Sequence, residues 1–409
     1  MTKKFYQLTA EERLNQLNLS AEDRAFFFEH QGKESAHLIE NYLADFALPE
    51  GLLPALLLDG QKSMIPMVTE EPSVVAAASN GARMAALGSG FFSEKASQAR
   101  LTGQILFHDV DQKLLAKRIE ESKSRLFAIA KAAKPSMVAR GNGLKSVAYR
   151  VLDVRHSVLE LSVDTGKAMG ANAVNTILEA VKGDFDDLKE QIAGAILSNA
   201  GQEALVSVST KVPVDAVGGL KQAEKIVALA EFGQVDVDRA VTENKGIFNG
   251  ISSVVLATGN DFRAVEAAGH AYAARHGAYR SLSSWALTDD QKYLAGQLTM
   301  PLNIGLLGGA MAALPMASKN LLLMGQPDLD RLKKLILATG LANNLAALKA
   351  VSGKGIQAGH MKMQARTLAI QAGAQEDEIA KVASRLAHET TFDQAKAERI
   401  LGEIRTHDA

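Results

Sequence analysis

The chain has 409 residues, with 45 Lys and Arg balanced by 46 Asp and Glu. That length predicts two or three domains, and the charge balance removes any bulk electrostatic case for nucleic acid or an anionic membrane. There is no cysteine, which excludes disulfides, thiolate metal sites and a cysteine nucleophile, and with aromatics at 5% and Trp285 as the single tryptophan no base-stacking platform is expected.

Residues 1–13 lack the apolar core of a signal peptide, and no run of about 18 uncharged apolar residues follows. The expectation is a cytoplasmic chain with no membrane span and no metal. Residues 9–45 read as helices, opened by a capping box of Thr9 with Glu12. Over 74–87 an Ala-rich run with small residues at helical spacing predicts a tightly packed, buried helix. Near residue 102 the pattern changes: Ile105 and Phe107 alternate with polar neighbours, as in a strand. Asp111 caps a helix with Leu114, Leu115, Ile119 and Leu126 on one face. A glycine-bearing turn at 140–143 leads to two alternating runs, Val147-Tyr149-Val151 and Leu159-Leu161-Val163. A helix then opens near Ala168 and turns Val174, Ile177, Leu178 and Val181 inward, and Val206, Val208 and Val212 predict a last strand. Residues 102–215 thus read as an inserted α+β domain. From Gly218 to about residue 370 the pattern is of long Ala- and Leu-rich helices. Beyond Gly373, a candidate hinge, one helix turns Ile379, Val382, Ala383 and Leu386 inward and another Ala397, Ile400 and Leu401.

Five segments carry groups suited to chemistry. Thr69-Glu70-Glu71-Pro72-Ser73 reads as a solvated helix entry, or, given its apolar flanks, as a held carboxyl that can act as a proton donor. Glu243-Asn244-Lys245-Gly246 and Ile247-Phe248-Asn249-Gly250 supply a lysine among turn-forming pairs. In Ala257-Thr258-Gly259-Asn260-Asp261-Phe262-Arg263 the aspartate is a ready helix cap. Gly355-Ile356-Gln357-Ala358-Gly359-His360-Met361 puts a histidine where a helix begins, either structural or suited to protonate a leaving thiolate. Asp164-Thr165-Gly166-Lys167-Ala168-Met169-Gly170-Ala171-Asn172 runs from strand through turn to helix, a geometry that brings backbone N–H groups to a pyrophosphate. The Gly-x-Gly-x-x-Gly fingerprint is not matched there, and by spacing alone a tight helix–sheet contact accounts for the glycines better.

Taken in this order, the five segments resemble class II 3-hydroxy-3-methylglutaryl-CoA (HMG-CoA) reductases. The resemblance is carried by Glu-Glu-Pro-Ser-Val-Val-Ala-Ala-Ala-Ser at 70–79, Asn-Lys-Gly-Ile-Phe-Asn-Gly at 244–250, Ala-Thr-Gly-Asn-Asp-Phe-Arg-Ala-Val-Glu-Ala at 257–267, Gly-Ile-Gln-Ala-Gly-His-Met at 355–361 and Ala-Met-Gly-Ala-Asn at 168–172. It implies an α+β protein with a large, mostly helical substrate-binding domain (1–101 and 216–370), an inserted small dinucleotide-binding domain (102–215) and a C-terminal helical flap (371–409). The implied reaction takes HMG-CoA and two NAD(P)H to mevalonate and CoA through mevaldyl-CoA and mevaldehyde, for isoprenoid biosynthesis by the mevalonate pathway. Its catalytic set is Glu71 as proton carrier, Lys245 on the developing oxyanion, Asp261 between those two, and His360 as acid for the CoA thiolate. Ser73, Arg239 and Asn249 are implied to bind the HMG carboxylate and hydroxyl, with Arg263 and Asn344 in the same wall. Asp164, Lys167, Ala168, Met169, Gly170 and Asn172 are implied to hold the cofactor. The family is dimeric, so a homodimer or higher homo-oligomer with its site at the interface is expected, and the flap closes over that site.

Two positions depart from the family pattern. Lys167 stands where an acid is usual, which favours NADPH over NADH because a lysine attracts a 2′-phosphate, although Asp164 remains nearby and favours NADH. Ala44 replaces a usual glycine, for which a small local adjustment is expected. Two other readings are a catalytically inactive homologue acting as a binding protein and a different nicotinamide-dependent dehydrogenase. The four catalytic residue types count against the first, and the missing fingerprint against the second.

Overall fold

The computed structural model describes residues 3–94, 100–307, 314–353, 357–389 and 393–407, with the backbone alone for 357–363 and 407. Among the described residues ten strands form two sheets. The first holds β1 (Glu50–Leu58), β2 (Gln61–Val68), β3 (Phe91–Ser93), β8 (Leu205–Pro213), β9 (Ser283–Leu287) and β10 (Tyr293–Pro301) in the order β2-β1-β3-β8-β10-β9. The second holds β4 (Arg100–His108), β5 (Gly143–Val151), β6 (His156–Asp164) and β7 (Ile192–Ser198) in the order β5-β6-β4-β7. Every pairing is antiparallel except the contact of β1 with β3. Asp59 and Gly60, with φ of 50° and 76°, make the tight turn between β1 and β2, the chemistry of a two-residue hairpin.

At the N-terminus, α1 (Ala10–Gln16) and α2 (Ala21–Glu29) precede the first sheet. The expected capping box is present, with Thr9 Oγ1 accepting from the Glu12 N–H at 3.1 Å and a Glu12 oxygen from the Thr9 N–H at 2.8 Å. Near Ala44, Tyr42 is buried, and its carbonyl accepts from the Arg13 guanidinium.

The largest core lies between the first sheet and α3 (Val74–Ala86), α8 (Leu220–Val235), α9 (Val237–Ala257) and α12 (Leu329–Ser352), with α7 (Val214–Val217), α10 (Phe262–Ala273) and α11 (Pro315–Leu323) around it. Within α12 an unbroken run from 335 to 346 is buried. Among the described residues α12 is also the one helix long and apolar enough to cross a membrane, but its place is that of a core helix. A second core sits between the second sheet and α4 (Gln112–Ala133), α5 (Pro135–Ala139) and α6 (Ala171–Lys182). A third is enclosed by α13 (Gln357–Gln371), α14 (Glu376–Leu386) and α15 (Gln394–His407) around Val382, Leu386, Ala397 and Ile400.

Three expectations need correction. The strand at Val206, Val208 and Val212 pairs with β3 and β10, so it belongs to the first sheet and the second sheet ends at Ser198. The stretch after Gly218 is not helical throughout: β9 and β10 interrupt it, and β10 buries Leu294, Gly296, Leu298 and Met300 at the period of two of a strand. Leu114 is exposed while Leu115, Ile119 and Leu126 are buried, because one helical step carries it roughly 100° off their stripe.

The Ala-rich α3 packs directly on α12. A Cβ added at Gly81 would lie 1.8 Å from the Ala342 carbonyl oxygen, so the two backbones touch where the side chain is missing. Gly81→Ala would favour an isolated helix by about 1 kcal/mol. Here it should instead destabilise the protein by about 2 kcal/mol or more, read as a lower thermal midpoint. An unchanged or raised midpoint would refute the close packing.

Candidate active site

α9 presents two sets of side chains to a cavity of about 520 Å³ that α3 and α12 close. Lys245 and Asn249, four residues apart, share a face of α9. Both reach Glu71, which the Thr69–Pro72 turn holds just before α3. Lys245 Nζ lies 2.5 Å from Glu71 Oε2, and Asn249 Nδ2 donates to the same oxygen at 3.3 Å. Ser73 Oγ donates to Oε1 at 3.4 Å. Glu71 combines the two readings of its segment, since its side chain is 31% exposed yet held by these partners.

Arg239, one turn before Glu243 on α9, lines the same cavity. Its Nη2 donates to Glu243 Oε2 at 3.1 Å, while its Nε is buried with no partner among the described residues. Asn343 Oδ1 is in the same condition. Buried polar atoms of this kind call for a partner outside the chain, such as a ligand, an ion or a water. Asn344 is buried, and both ends of its amide are spent on the protein: Oδ1 accepts from Trp285 Nε1 at 2.7 Å and Nδ2 donates to Glu243 Oε1 at 3.3 Å.

A second cavity, of about 630 Å³, lies where the second core meets the first. Ala168, Met169, Gly170 and Asn172 line one side, with Asp261 and Arg263 on another. Gly170 is the N-cap of α6 at φ 84°, and a Cβ there would meet Thr165 Cγ2 at 2.3 Å. Glycine therefore opens this helix end, whose N–H groups and positive pole suit an anion. Ala168 bridges Leu307 in parallel, which ties this turn to the chain after β10. Asp164 and Lys167 do not line the cavity. Asp164 Oδ1 accepts from the Gly166 N–H at 2.9 Å and its Oδ2 lies 3.8 Å from Lys145 Nζ, while Lys167 is exposed. Among the described residues two cations line this cavity: Arg263, paired with Asp261, and Lys134, at the junction of α4 and α5 where Pro135 ends the longer helix.

The two cavities share no lining residue. Asp261 caps α10, with Oδ1 accepting from the N–H groups of Arg263 and Ala264, and the Arg263 guanidinium sits 3.1 Å away. Within one chain, then, Asp261 does not lie between Lys245 and Glu71, and Arg263 is not in the wall of Arg239. The reason is the length of α9: its C-terminal end is roughly 18 Å along the axis from Lys245, and Asp261 lies beyond that end. His360 falls on the backbone of α13, and its side chain is outside the described residues. Among the described residues, no three His, Asp or Glu gather as metal ligands.

Sequence reasoning assigned no role to Lys134, Asn343 or Glu243. Only Glu243 carried a signal, an acid four residues from an arginine inside an apolar helix.

Residues 9–365 match the family described as hydroxymethylglutaryl-coenzyme A reductase. The chain is 37% identical to 3-hydroxy-3-methylglutaryl-coenzyme A reductase of Archaeoglobus fulgidus, over 98% of this chain and 94% of that one. It is 31% identical to a probable 3-hydroxy-3-methylglutaryl-coenzyme A reductase of Borreliella burgdorferi, over 85% of this chain and 80% of that one. Its fold matches the class II 3-hydroxy-3-methylglutaryl-CoA reductase of Streptococcus pneumoniae bound to NADPH in open conformations, with a TM-score of 0.76, 39% identity and coverage of 97% and 99% of the two chains. The relatives are oxidoreductases, and a lysine–carboxylate pair in one cavity with a glycine-opened helix end in another suits that class. The chain belongs to the hydroxymethylglutaryl-coenzyme A reductase family, on its class II branch.

Proposed function

We propose that this chain reduces HMG-CoA to mevalonate and CoA, consuming two NAD(P)H and two protons, as a cytoplasmic enzyme of isoprenoid biosynthesis by the mevalonate pathway. The observation that carries this reading is the Lys245–Glu71 pair in one cavity with Arg239, Ser73 and Asn249. A nicotinamide dinucleotide fits the second cavity, since the cradle at Gly170 is one that a Cβ would fill. Bound there, it supplies hydride.

The chain's own groups do the rest. Lys245 places a cation where the thioester carbonyl becomes an oxyanion, and Glu71 holds the proton exchanged at that oxygen. Arg239 recognises the HMG carboxylate with its unmet Nε donor, and Ser73 and Asn249 meet the carboxylate and hydroxyl. His360, on α13 next to the flap that begins at residue 371, protonates the departing CoA thiolate. Asp261 completes the site from a second copy of the chain, because α9 holds its own Asp261 too far from Lys245. The active enzyme is therefore a homodimer or a multiple of one. No observation favours an inactive binding protein.

The test is loss of NAD(P)H absorbance on adding HMG-CoA. Lys245→Ala should lower turnover by about a hundredfold or more, and Asp261→Ala should also be inactive. If each site draws Lys245 from one copy and Asp261 from the other, mixing and reassembling the two inactive variants restores about a quarter of wild-type activity. No recovery would refute the shared site, and no turnover by the wild type with either cofactor would refute the reaction.

For cofactor choice we infer NADPH, with Lys134 in place of Lys167 as the ligand of the 2′-phosphate. Lys134 lines the cavity and pairs with no carboxylate among the described residues, whereas Lys167 is exposed outside it. Lys134→Glu should shift the ratio of kcat/KM for NADPH over NADH by about tenfold or more toward NADH, the worth of one hydrogen bond to a charged group. Lys167→Glu should move it less than about twofold. An unmoved ratio in Lys134→Glu overturns the assignment.

A further inference from the structure

We propose that Glu243 is a positioning residue that aims Arg239 at the substrate carboxylate. This rests on the reading of Arg239 as the carboxylate ligand. The Glu243 side chain is fully buried, and four groups hold it. Its Oε1 accepts from Ser281 Oγ at 3.0 Å, Ser283 Oγ at 3.0 Å and Asn344 Nδ2 at 3.3 Å. Its Oε2 faces Arg239 Nη2 at 3.1 Å. Asn344 is itself fixed by Trp285. There is no slack on the far side, where a Cβ at Gly233 would come within 2.9 Å of Glu243 Oε2. The next residue repeats the tie, with Asn244 Nδ2 donating to the Arg280 carbonyl at 2.9 Å and its Oδ1 accepting from the Leu282 N–H at 2.8 Å. The residues just before Lys245 thus staple α9 to the chain leading into β9.

A carboxylate this deep is costly unless every lone pair is used. What this arrangement secures is the orientation of a guanidinium whose Nε is left unmet at the cavity. It also keeps two ion pairs apart. Among the described lining residues, Glu71 is the other carboxylate of this cavity. An Arg239 released from Glu243 has Glu71 as its alternative partner, in competition with Lys245. Glu243 holds the arginine on the substrate side and leaves Glu71 to the lysine.

The experiment is steady-state kinetics on the full-length enzyme with saturating NADPH, comparing Glu243→Gln, Arg239→Ala and the double variant. Glutamine keeps the volume and an acceptor for the serine hydroxyls but loses the charge that holds Arg239. Glu243→Gln is expected to raise KM for HMG-CoA about tenfold and to leave KM for NADPH within about twofold. In the Arg239→Ala background it should add nothing further, since the group it positions is gone. An unchanged KM for HMG-CoA in Glu243→Gln overturns the proposal, and so does an equal further rise in the double variant. If Arg239→Ala alone leaves KM for HMG-CoA unchanged, the carboxylate reading of Arg239 has failed instead. Should Glu243→Gln not fold, Ser283→Ala removes one of the three donors to Oε1. It should raise the same KM about two- to threefold, and no rise overturns the proposal.

Discussion

The backbones of α3, α9 and α12 approach one another more closely than side chains allow, and the site depends on that approach. Gly81 sets the contact of α3 with α12, and Gly250, whose added Cβ would lie 2.8 Å from the Thr339 carbonyl oxygen, sets that of α9 with α12. With both helices seated on one buried helix, the turn before α3 is held against the middle of α9. Glu71 and Lys245, 174 positions apart in the chain, then meet at hydrogen-bond distance. Close packing of this kind is stiff, because a small shift meets hard atoms on every side. Stiffness is what an arranged pair of opposite charges needs if it is to act on a developing oxyanion without first reorganising.

α9 also works as a spacer. Its middle carries the substrate-side groups, and its C-terminal end leads into the turn where Asp261 caps α10 beside the glycine-opened end of α6. One unbroken helix thereby keeps two chemically different cavities apart within a chain. Arg239 with Glu243 and Lys245 with Glu71 divide the charges of the first cavity into separate pairs. Each cation has its own counter-charge, so the cavity is not left with an uncompensated buried charge.

Much of the local structure was legible. The capping box of Thr9 and Glu12, the helix start at Asp111, the buried Ala-rich α3 and the inward faces of α6, α14 and α15 all follow from short-range chemistry and helical period. The alternation of β10 was equally visible in kind, but the Ala- and Leu-rich stretches on both sides of it read as one helical run. Sheet membership was not legible. Val206, Val208 and Val212 announce a strand, but nothing in them says whether it pairs with β4 or with β10, since a strand's period is the same in either sheet. The chemical residues divide in the same way. Lys245, Glu71, Ser73 and Asn249 stood in motifs and meet in space, whereas Arg263 and Asn344 stood near those motifs and lie respectively in another cavity and inside a buried hydrogen-bond chain.

By itself the sequence determined the residue types available for catalysis, the helix caps and the family, because each is written in a contiguous stretch a few residues long. Which carboxylate faces which cation was decided by tertiary structure alone. So were the enclosure of Glu243 by serines and an asparagine from distant segments, and the placing of Lys134 in a wall that Lys167 does not reach. Those are distances between parts of the chain far apart in sequence, and only the packing of helices on a common core sets them.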